Sequence, residues 1–174
     1  MFNCKLLNAR SLKNKFQDLQ YMLVTGSSDV VCCCETWLSP NVLDCSVVSD
    51  LPFTVYRCDR TDAAYGGACI ITRDSAVTAM QVNVDAKFKK LEVVAIDILN
   101  VVTPIRVITI YRSPSPDSDA DAISDMKRLI KCLKQLCDVN RSVVITGDIN
   151  INWKDINLLA DRELCSVLFA QFVN

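Results

Sequence analysis

Five polar residues stand where apolar runs of the sequence end, and their side chains are of types that can bind a metal ion or a phosphate. They are Asn8, Glu35, Tyr111, Asp148 and Asn150. The runs before them have the length and composition of buried β-strands. In an α/β fold, strand ends gather at one edge of a sheet, where ligands bind. We therefore expect these five side chains to converge.

This set of side chains suits phosphoryl chemistry. Mg²⁺ takes oxygen ligands, and proteins commonly give it one or two carboxylates while waters and substrate phosphates complete the shell. Glu35 is the candidate metal ligand, with Asp148 nearby if the two strands are neighbours. The carboxamides of Asn8 and Asn150 could position a carboxylate or a phosphate oxygen, and the Tyr111 hydroxyl could donate to the non-bridging oxygens as charge builds in the transition state. Ligand chemistry of this kind does not separate Mg²⁺ from Mn²⁺.

Each of these residues also has an ordinary structural interpretation. Strand ends are commonly polar because they meet solvent, which would account for Asn8 and Glu35. Tyr111 fits a partly buried core position, and residues 148–150 fit a helix-capping turn, where Asp and Asn are favoured. The pattern alone therefore indicates a candidate metal site without establishing one.

The elements that must hold these residues alternate between short apolar strands and amphipathic helices. Apolar residues at helical spacing predict helices over residues 12–23, 123–137 and 158–172. Strands are predicted over residues 5–7, 29–34, 53–58, 68–72, 91–99, 105–110 and 142–146, and residues 76–84 alternate roughly. Strands separated by helices, with some hairpins, predict an α/β sandwich of mixed sheets. No linker interrupts the pattern, so we expect one domain over residues 1–174.

Composition excludes several classes of protein. The net charge of −1 argues against a histone-like binder, and the absence of histidine means that these residues cannot supply a histidine base. No CxxC pair accompanies the ten cysteines, so a structural zinc site is not predicted. The sequence shows neither a signal peptide nor a membrane span, and we expect an intracellular protein, nuclear or cytoplasmic, with reduced thiols. Cys32, Cys33 and Cys34 are expected to pack as small core residues on alternate faces of one strand.

Five blocks of the sequence, in order, resemble the motifs of one known family. They are LLNARSLKNK around Asn8, DVVCCCETWL around Glu35, YRCDR with the following Gly66 and Gly67, IYRSPS around Tyr111, and TGDIN around Asp148. These blocks are similar to those of the apurinic-endonuclease-like nucleases of non-LTR retrotransposons, within the endonuclease/exonuclease/phosphatase superfamily. The resemblance covers essentially the whole chain.

The resemblance implies a four-layer α/β sandwich, with two mixed sheets flanked by helices, that cleaves DNA phosphodiesters with Mg²⁺ or Mn²⁺. By motif position, Glu35 would ligate the metal and Asn8 would belong to the same ligand shell. Tyr111 would stabilise the pentacovalent phosphate, Asp148 would activate or orient the attacking water, and Asn150 would orient the phosphate. No small-molecule cofactor and no membrane partner are implied.

Contacts with the DNA phosphate backbone are expected from basic residues in or near these blocks. The candidates are Arg10, Lys13, Lys15, Arg57, Arg60 and Arg112.

Two departures from the family pattern bear on activity. Ile149 stands where the family usually has Phe, an apolar exchange that we expect to be tolerated. The family also continues into further strands and an SDH-type motif that supplies an Asp–His pair, which these 174 residues lack. The resemblance therefore implies the N-terminal two-thirds or so of the full domain, incomplete at its C-terminus and weakly active or inactive, because general acid–base catalysis typically contributes about 10²–10⁴-fold in rate.

Three alternatives stay open from the sequence. The chain could be an inactive relic or domesticated domain that binds nucleic acid or a protein partner. It could be an inositol or sphingolipid phosphodiesterase of the same superfamily, although the NARSLKNK opening favours the retroelement group. It could also be an unstable pseudogene product. The oligomeric state is not predicted.

Overall fold

The computed structural model describes residues 3–88, 90–114 and 119–151. The chain divides into two compact units. The first, which we call the sheet unit, comprises Met1–Asn83, Glu92–Tyr111 and Arg141–Asp148. The second, the helical unit, comprises Val84–Leu91, Arg112–Asn140 and Ile149–Asn174.

The first sheet of the sheet unit has the strand order β1-β2-β4-β3. Its strands are β1 Cys4–Asn8, β2 Val30–Cys34, β3 Phe53–Cys58 and β4 Ala68–Arg73. The first two are parallel, and β4 is antiparallel to both β2 and β3. A helix, α1 Phe16–Thr25, makes the crossover that two adjacent parallel strands require.

The second sheet has the strand order β5-β6-β7-β8. Its strands are β5 Ala79–Gln81, β6 Glu92–Ile98, β7 Ile105–Tyr111 and β8 Ser142–Asp148. The first three are antiparallel neighbours, whereas β7 and β8 are parallel. The predicted α/β fold with two mixed sheets is confirmed.

Two apolar clusters hold the sheet unit together. One lies between the sheets and includes Ile70 from the first sheet and Ile96 from the second. The other packs the outer face of the first sheet against α1 and a short helix, α2 Asp44–Val48. Cys33 belongs to this outer cluster, whereas Cys32 and Cys34 belong to the cluster between the sheets. The predicted alternation of the three cysteines is confirmed, and no disulfide joins the cysteines of the described residues.

The helical unit contains α3 Asp119–Cys137 and a 3-10 helix over Ala86–Phe88 that contacts it. Met126, Leu129 and Leu133 are buried at helical spacing, as the apolar periodicity predicts. No helix among the described residues is both long and apolar enough to cross a membrane.

The structure differs from the sequence prediction at several element boundaries. The first helix begins at Phe16 rather than at residue 12, because the preceding residues form a turn in which the Lys15 amide donates to Leu12. Leu12 is nevertheless buried, which explains why it matched the helical pattern. The short helix α2 has too few residues for a periodic signal and was not predicted. The helix predicted over residues 158–172 lies outside the described residues.

Candidate active site

Strand ends from both sheets meet at one edge of the sheet unit. In the first sheet, Asn8 pairs with Cys34, the residue before Glu35. In the second, Tyr111 pairs with Asp148 on one side and with Glu92 on the other. The parallel pairs β1-β2 and β7-β8 therefore both end here, which is the arrangement expected from the sequence.

The side chain of Asn8 links the two sheets at this edge. Its Nδ2 donates to Glu35 Oε1 at 2.8 Å and to Asp148 Oδ2 at 3.1 Å. Its Oδ1 accepts from the Arg10 amide at 3.2 Å. Because carboxylates accept hydrogen bonds, the NH₂ group of the Asn8 carboxamide must face both of them. Asn8 thus holds Glu35 and Asp148 together and turns its oxygen away from them.

The backbone at Glu35 is held in an uncommon conformation. Glu35 has φ +52° and Trp37 has φ +53°, the left-handed region that side chains rarely adopt. Two amides of the segment after β1 bind this backbone: the Ser11 amide donates to Glu35 O at 2.8 Å, and the Leu12 amide donates to Thr36 O at 2.9 Å. These bonds hold the carbonyl side of the backbone at Glu35 and Thr36 against the segment that follows Asn8.

Tyr111 ends β7 beside the acidic residues. Burial raises the pKa of its phenol to about 12, and the negative charges of Glu35, Glu92 and Asp148 act in the same direction. The charge of Arg60 opposes them. The phenol is therefore protonated at neutral pH and can act as a hydrogen-bond donor.

Glu92 is a functional candidate that the sequence motifs do not reveal. Its Oε2 accepts from the Gly67 amide, and its Oε1 lies 3.4 Å from Arg60 Nη1. Burial raises the pKa of its carboxyl, while the Gly67 amide and Arg60 oppose this. The sequence does contain one indication of this burial. Glu92 falls on the same face of its strand as Val94 and Ile96, both of which pack in the core between the sheets. A charged residue in phase with buried positions needs a partner.

The predicted basic contacts fall into different environments. Arg10 and Lys13 are exposed close to Asn8 in sequence. Arg60 lies near Glu92 and also donates to Asp62 Oδ1 at 2.9 Å.

Lys15 and Arg57 are engaged within the protein instead. Lys15 Nζ donates to Ala9 O at 2.6 Å and to Arg10 O at 3.2 Å. Arg57, with its side chain 13% exposed, binds Asp44 and Asp59 as well as main-chain carbonyls. The structure therefore favours a structural role for Arg57 over the expected phosphate contact, because its donors are already used.

Two predicted site residues belong to the helical unit. Asn150 has φ +48°, and its Nδ2 donates to Arg112 O at 2.8 Å. The Arg112 guanidinium donates to Ile149 O and to Ala122 O, both at 3.3 Å. These bonds tie the segment after β7 to the segment after β8 within that unit.

The oxygen donors at the edge fit a hard divalent cation. Among the described residues, no group of three or more His, Cys, Asp or Glu side chains could hold a metal ion. A Mg²⁺ site does not require one, because one or two carboxylates with waters and phosphates suffice. Glu35 and Asp148 supply two carboxylates. The Asn8 side chain turns its amide nitrogen, and not its oxygen, toward these carboxylates.

The fold matches those of solved structures at low sequence identity. The AP endonuclease LMAP from Leishmania major is 13% identical, with 99% of this chain and 66% of that one covered, at a TM-score of 0.74. The endonuclease domain of TRAS1, a telomere-specific non-LTR retrotransposon, is 12% identical, with 98% and 72% covered, at a TM-score of 0.67. The Neisseria 3′ phosphatase NExo, bound to a product DNA hairpin, is 13% identical, with 99% and 71% covered, at a TM-score of 0.71.

These likenesses show that the chain shares the α/β-sandwich fold of these nuclease and phosphatase structures, which is the fold expected from the motifs. The chain spans 66–72% of the length of these three proteins. No family model matches the sequence, and no curated protein matches it.

Proposed function

We propose that this chain is a metal-dependent phosphodiester hydrolase of the retroelement endonuclease type, acting on DNA. The observation that carries the proposal is the bridge from Asn8 to both Glu35 and Asp148. It brings together three residues from separate motifs at one edge of the sheet unit, and a strand-end residue with a purely structural role would not need such convergence.

Glu35 is proposed as the metal ligand, with Asp148 beside it. Asn8 acts as a positioning residue for both carboxylates, because its amide nitrogen cannot ligate a cation. A bound Mg²⁺ or Mn²⁺ would polarise phosphoryl oxygens and neutralise the charge that develops on them.

The remaining chemistry falls to side chains that donate or accept protons. The protonated phenol of Tyr111 donates to a non-bridging phosphate oxygen as charge builds there. Asp148 accepts the proton of the attacking water, since these residues contain no histidine. Asn150 is proposed to orient the phosphate on the basis of its motif.

DNA is the proposed substrate because of the motifs and the similar proteins. The TRAS1 domain comes from a telomere-specific retrotransposon, and NExo was bound to a DNA hairpin. The exposed cations Arg10 and Lys13 are the proposed contacts with the phosphate backbone, and Arg60 is a further candidate near Tyr111.

A plasmid-nicking assay with Mg²⁺ or Mn²⁺ tests the proposal. We expect the chain to convert supercoiled DNA slowly to the nicked form, and Glu35→Gln and Asp148→Asn to abolish this weak conversion. Asp97→Asn is the matched control, because Asp97 is a buried carboxylate that binds Arg106 and Arg141 instead of Asn8. A folded chain that binds DNA without nicking it would instead indicate a binding domain, and cleavage of an inositol or sphingolipid headgroup alone would indicate a different substrate.

A further inference from the structure

Glu92 is a buried carboxylate whose partners lead to the candidate active site. It is 8% exposed and stands at the first position of β6. Burying a carboxylate is strongly unfavourable unless hydrogen bonds and opposite charge compensate for the lost hydration. The arrangement around Glu92 therefore indicates what its carboxylate does.

Two consecutive glycines, Gly66 and Gly67, lie against the carboxylate of Glu92. The Gly67 amide donates to Glu92 Oε2. Gly66 has φ +108°, and a Cβ atom there would lie 2.5 Å from the same oxygen. A side chain at Gly66 would therefore be strained and would also displace the carboxylate. The pair of glycines allows the backbone to approach Glu92.

The same two glycines bind the segment that follows Glu35. Gly67 O accepts from the Thr36 amide at 3.3 Å, and Gly66 O accepts from the Trp37 amide at 2.7 Å. Glu35 and Trp37 both have left-handed φ values, a conformation that persists at such residues only where the surrounding structure holds it. A continuous set of hydrogen bonds thus runs from Glu92 through the glycines to the backbone around Glu35.

We propose that Glu92 is a positioning residue that fastens the Gly66 and Gly67 turn and thereby holds the Glu35 backbone in the conformation that directs its carboxylate at Asn8. The contact that matters is the hydrogen bond from Gly67, because the nearest Arg60 nitrogen is farther away, at 3.4 Å, and Arg60 also binds Asp62. The role of Glu35 as metal ligand rests on the proposed function, whereas the control of its backbone by Glu92 does not.

Amide hydrogen exchange tests the positioning role without reference to activity. In Glu92→Ala, exchange at the Thr36 and Trp37 amides is expected to rise by about tenfold or more relative to the Ile70 and Ile71 amides in the same sheet. Glu92→Gln keeps an oxygen for the Gly67 amide and is expected to stay close to the wild type. Glu92→Asp keeps the charge but shortens the side chain, and is expected to resemble Glu92→Ala.

Asp97→Asn is the control for general destabilisation, because it removes the other buried carboxylate of β6. It is expected to leave the exchange ratio unchanged. An unchanged ratio in both Glu92→Ala and Glu92→Asp would overturn the proposal. An exchange ratio raised as much in Glu92→Gln as in Glu92→Asp would also overturn it. That result would indicate that charge or side-chain fit matters, and not the hydrogen bond to Gly67.

Binding of Mn²⁺ alone, followed by its paramagnetic resonance spectrum, separates this proposal from the proposed function. Loss of a residue that orients a metal ligand typically weakens binding by about 10–100-fold. We expect Glu92→Asp to lose Mn²⁺ affinity by this factor. Glu92→Gln and Asp97→Asn are expected to bind Mn²⁺ nearly as tightly as the wild type. If the wild-type chain binds no Mn²⁺, the proposed function fails, and the exchange ratios still decide the role of Glu92.

Discussion

Asn8 Nδ2 donates to Asp148 Oδ2 at 3.1 Å and so joins the end of the first strand to the end of the last described strand, 140 positions away in the sequence. The contact crosses from one sheet to the other. Because Asn8 also binds Glu35, its carboxamide keeps two like charges close together. Anionic groups held in this way are suited to bind a cation.

Removing this carboxamide should impair catalysis more than folding. We predict that Asn8→Ala lowers the rate of metal-dependent DNA nicking by about 10–100-fold, the range found when residues that orient metal ligands are removed. Asn100→Ala is the control, because the Asn100 carboxamide likewise both donates and accepts hydrogen bonds, to Ala76 O and from the Thr78 amide, away from the strand-end edge. Equal loss of nicking in the two variants would show that Asn8 acts only through stability.

The phenol of Tyr111 should titrate later than an ordinary tyrosine. Burial and the surrounding carboxylates raise its pKa to about 12. We predict that the difference between the ultraviolet titrations of the wild type and Tyr111→Phe shows no phenolate near pH 10, the usual pKa of tyrosine. In Glu92→Gln the pKa of Tyr111 should fall, because a neighbouring negative charge is removed. Ionisation of Tyr111 near pH 10 in the wild type would show that burial and the neighbouring carboxylates do not raise its pKa.

Asp97 should make the stability of the chain depend on pH in the acid range. The Arg106 guanidinium, with Arg141, holds the pKa of Asp97 below its ordinary value of 3.8. A carboxyl whose pKa is lowered by folding stabilises the protein above its unfolded-state pKa, and this stabilisation is lost as pH falls through the folded-state value. We predict that urea unfolding of the wild type loses stability below about pH 4, and that the Asp97 contribution to this loss is absent in Asp97→Asn. Identical pH profiles for the two proteins would contradict the prediction.

Salt dependence should separate the cations that contact DNA from those that hold the fold. Each phosphate contact contributes about 0.9 to the slope of log K against log salt for duplex DNA. We predict that Arg10→Gln and Lys13→Gln each reduce the slope by about that amount.

Arg57→Gln is predicted to lower the melting temperature and to leave the slope unchanged. The reason is that Arg57 binds Asp44 and Asp59. A reduced slope in a folded Arg57→Gln variant would instead restore Arg57 as a phosphate contact.

The convergence of the candidate residues was predictable because local pattern and strand-end geometry coincide there. Asn8, Glu35, Tyr111 and Asp148 each end or follow an apolar run, and the parallel pairing of their strands brings them together. The cysteine alternation in β2 was predictable for the same reason, since strand residues alternate between two faces.

Other features depend on contacts between distant segments. Glu92 is one residue of an alternating strand in the sequence, and its role follows only from its approach to Gly67. Arg57 likewise binds Asp59 and the segment from Ser39 to Asp44. A sequence motif shows that Arg57 is charged but does not show which residues it binds. Short helices such as α2 lack the length that a periodic pattern requires.

Binding of Mn²⁺ to the purified chain, compared with Glu35→Gln, tests the central claim most directly. Paramagnetic resonance should show saturable binding by the wild type, and Glu35→Gln should lose it while keeping its melting temperature. Asp97→Asn should bind Mn²⁺ as the wild type does. Binding that persists unchanged in Glu35→Gln, or no binding by the folded wild-type chain, would contradict the assignment of Glu35 as the ligand of a metal-dependent phosphodiesterase.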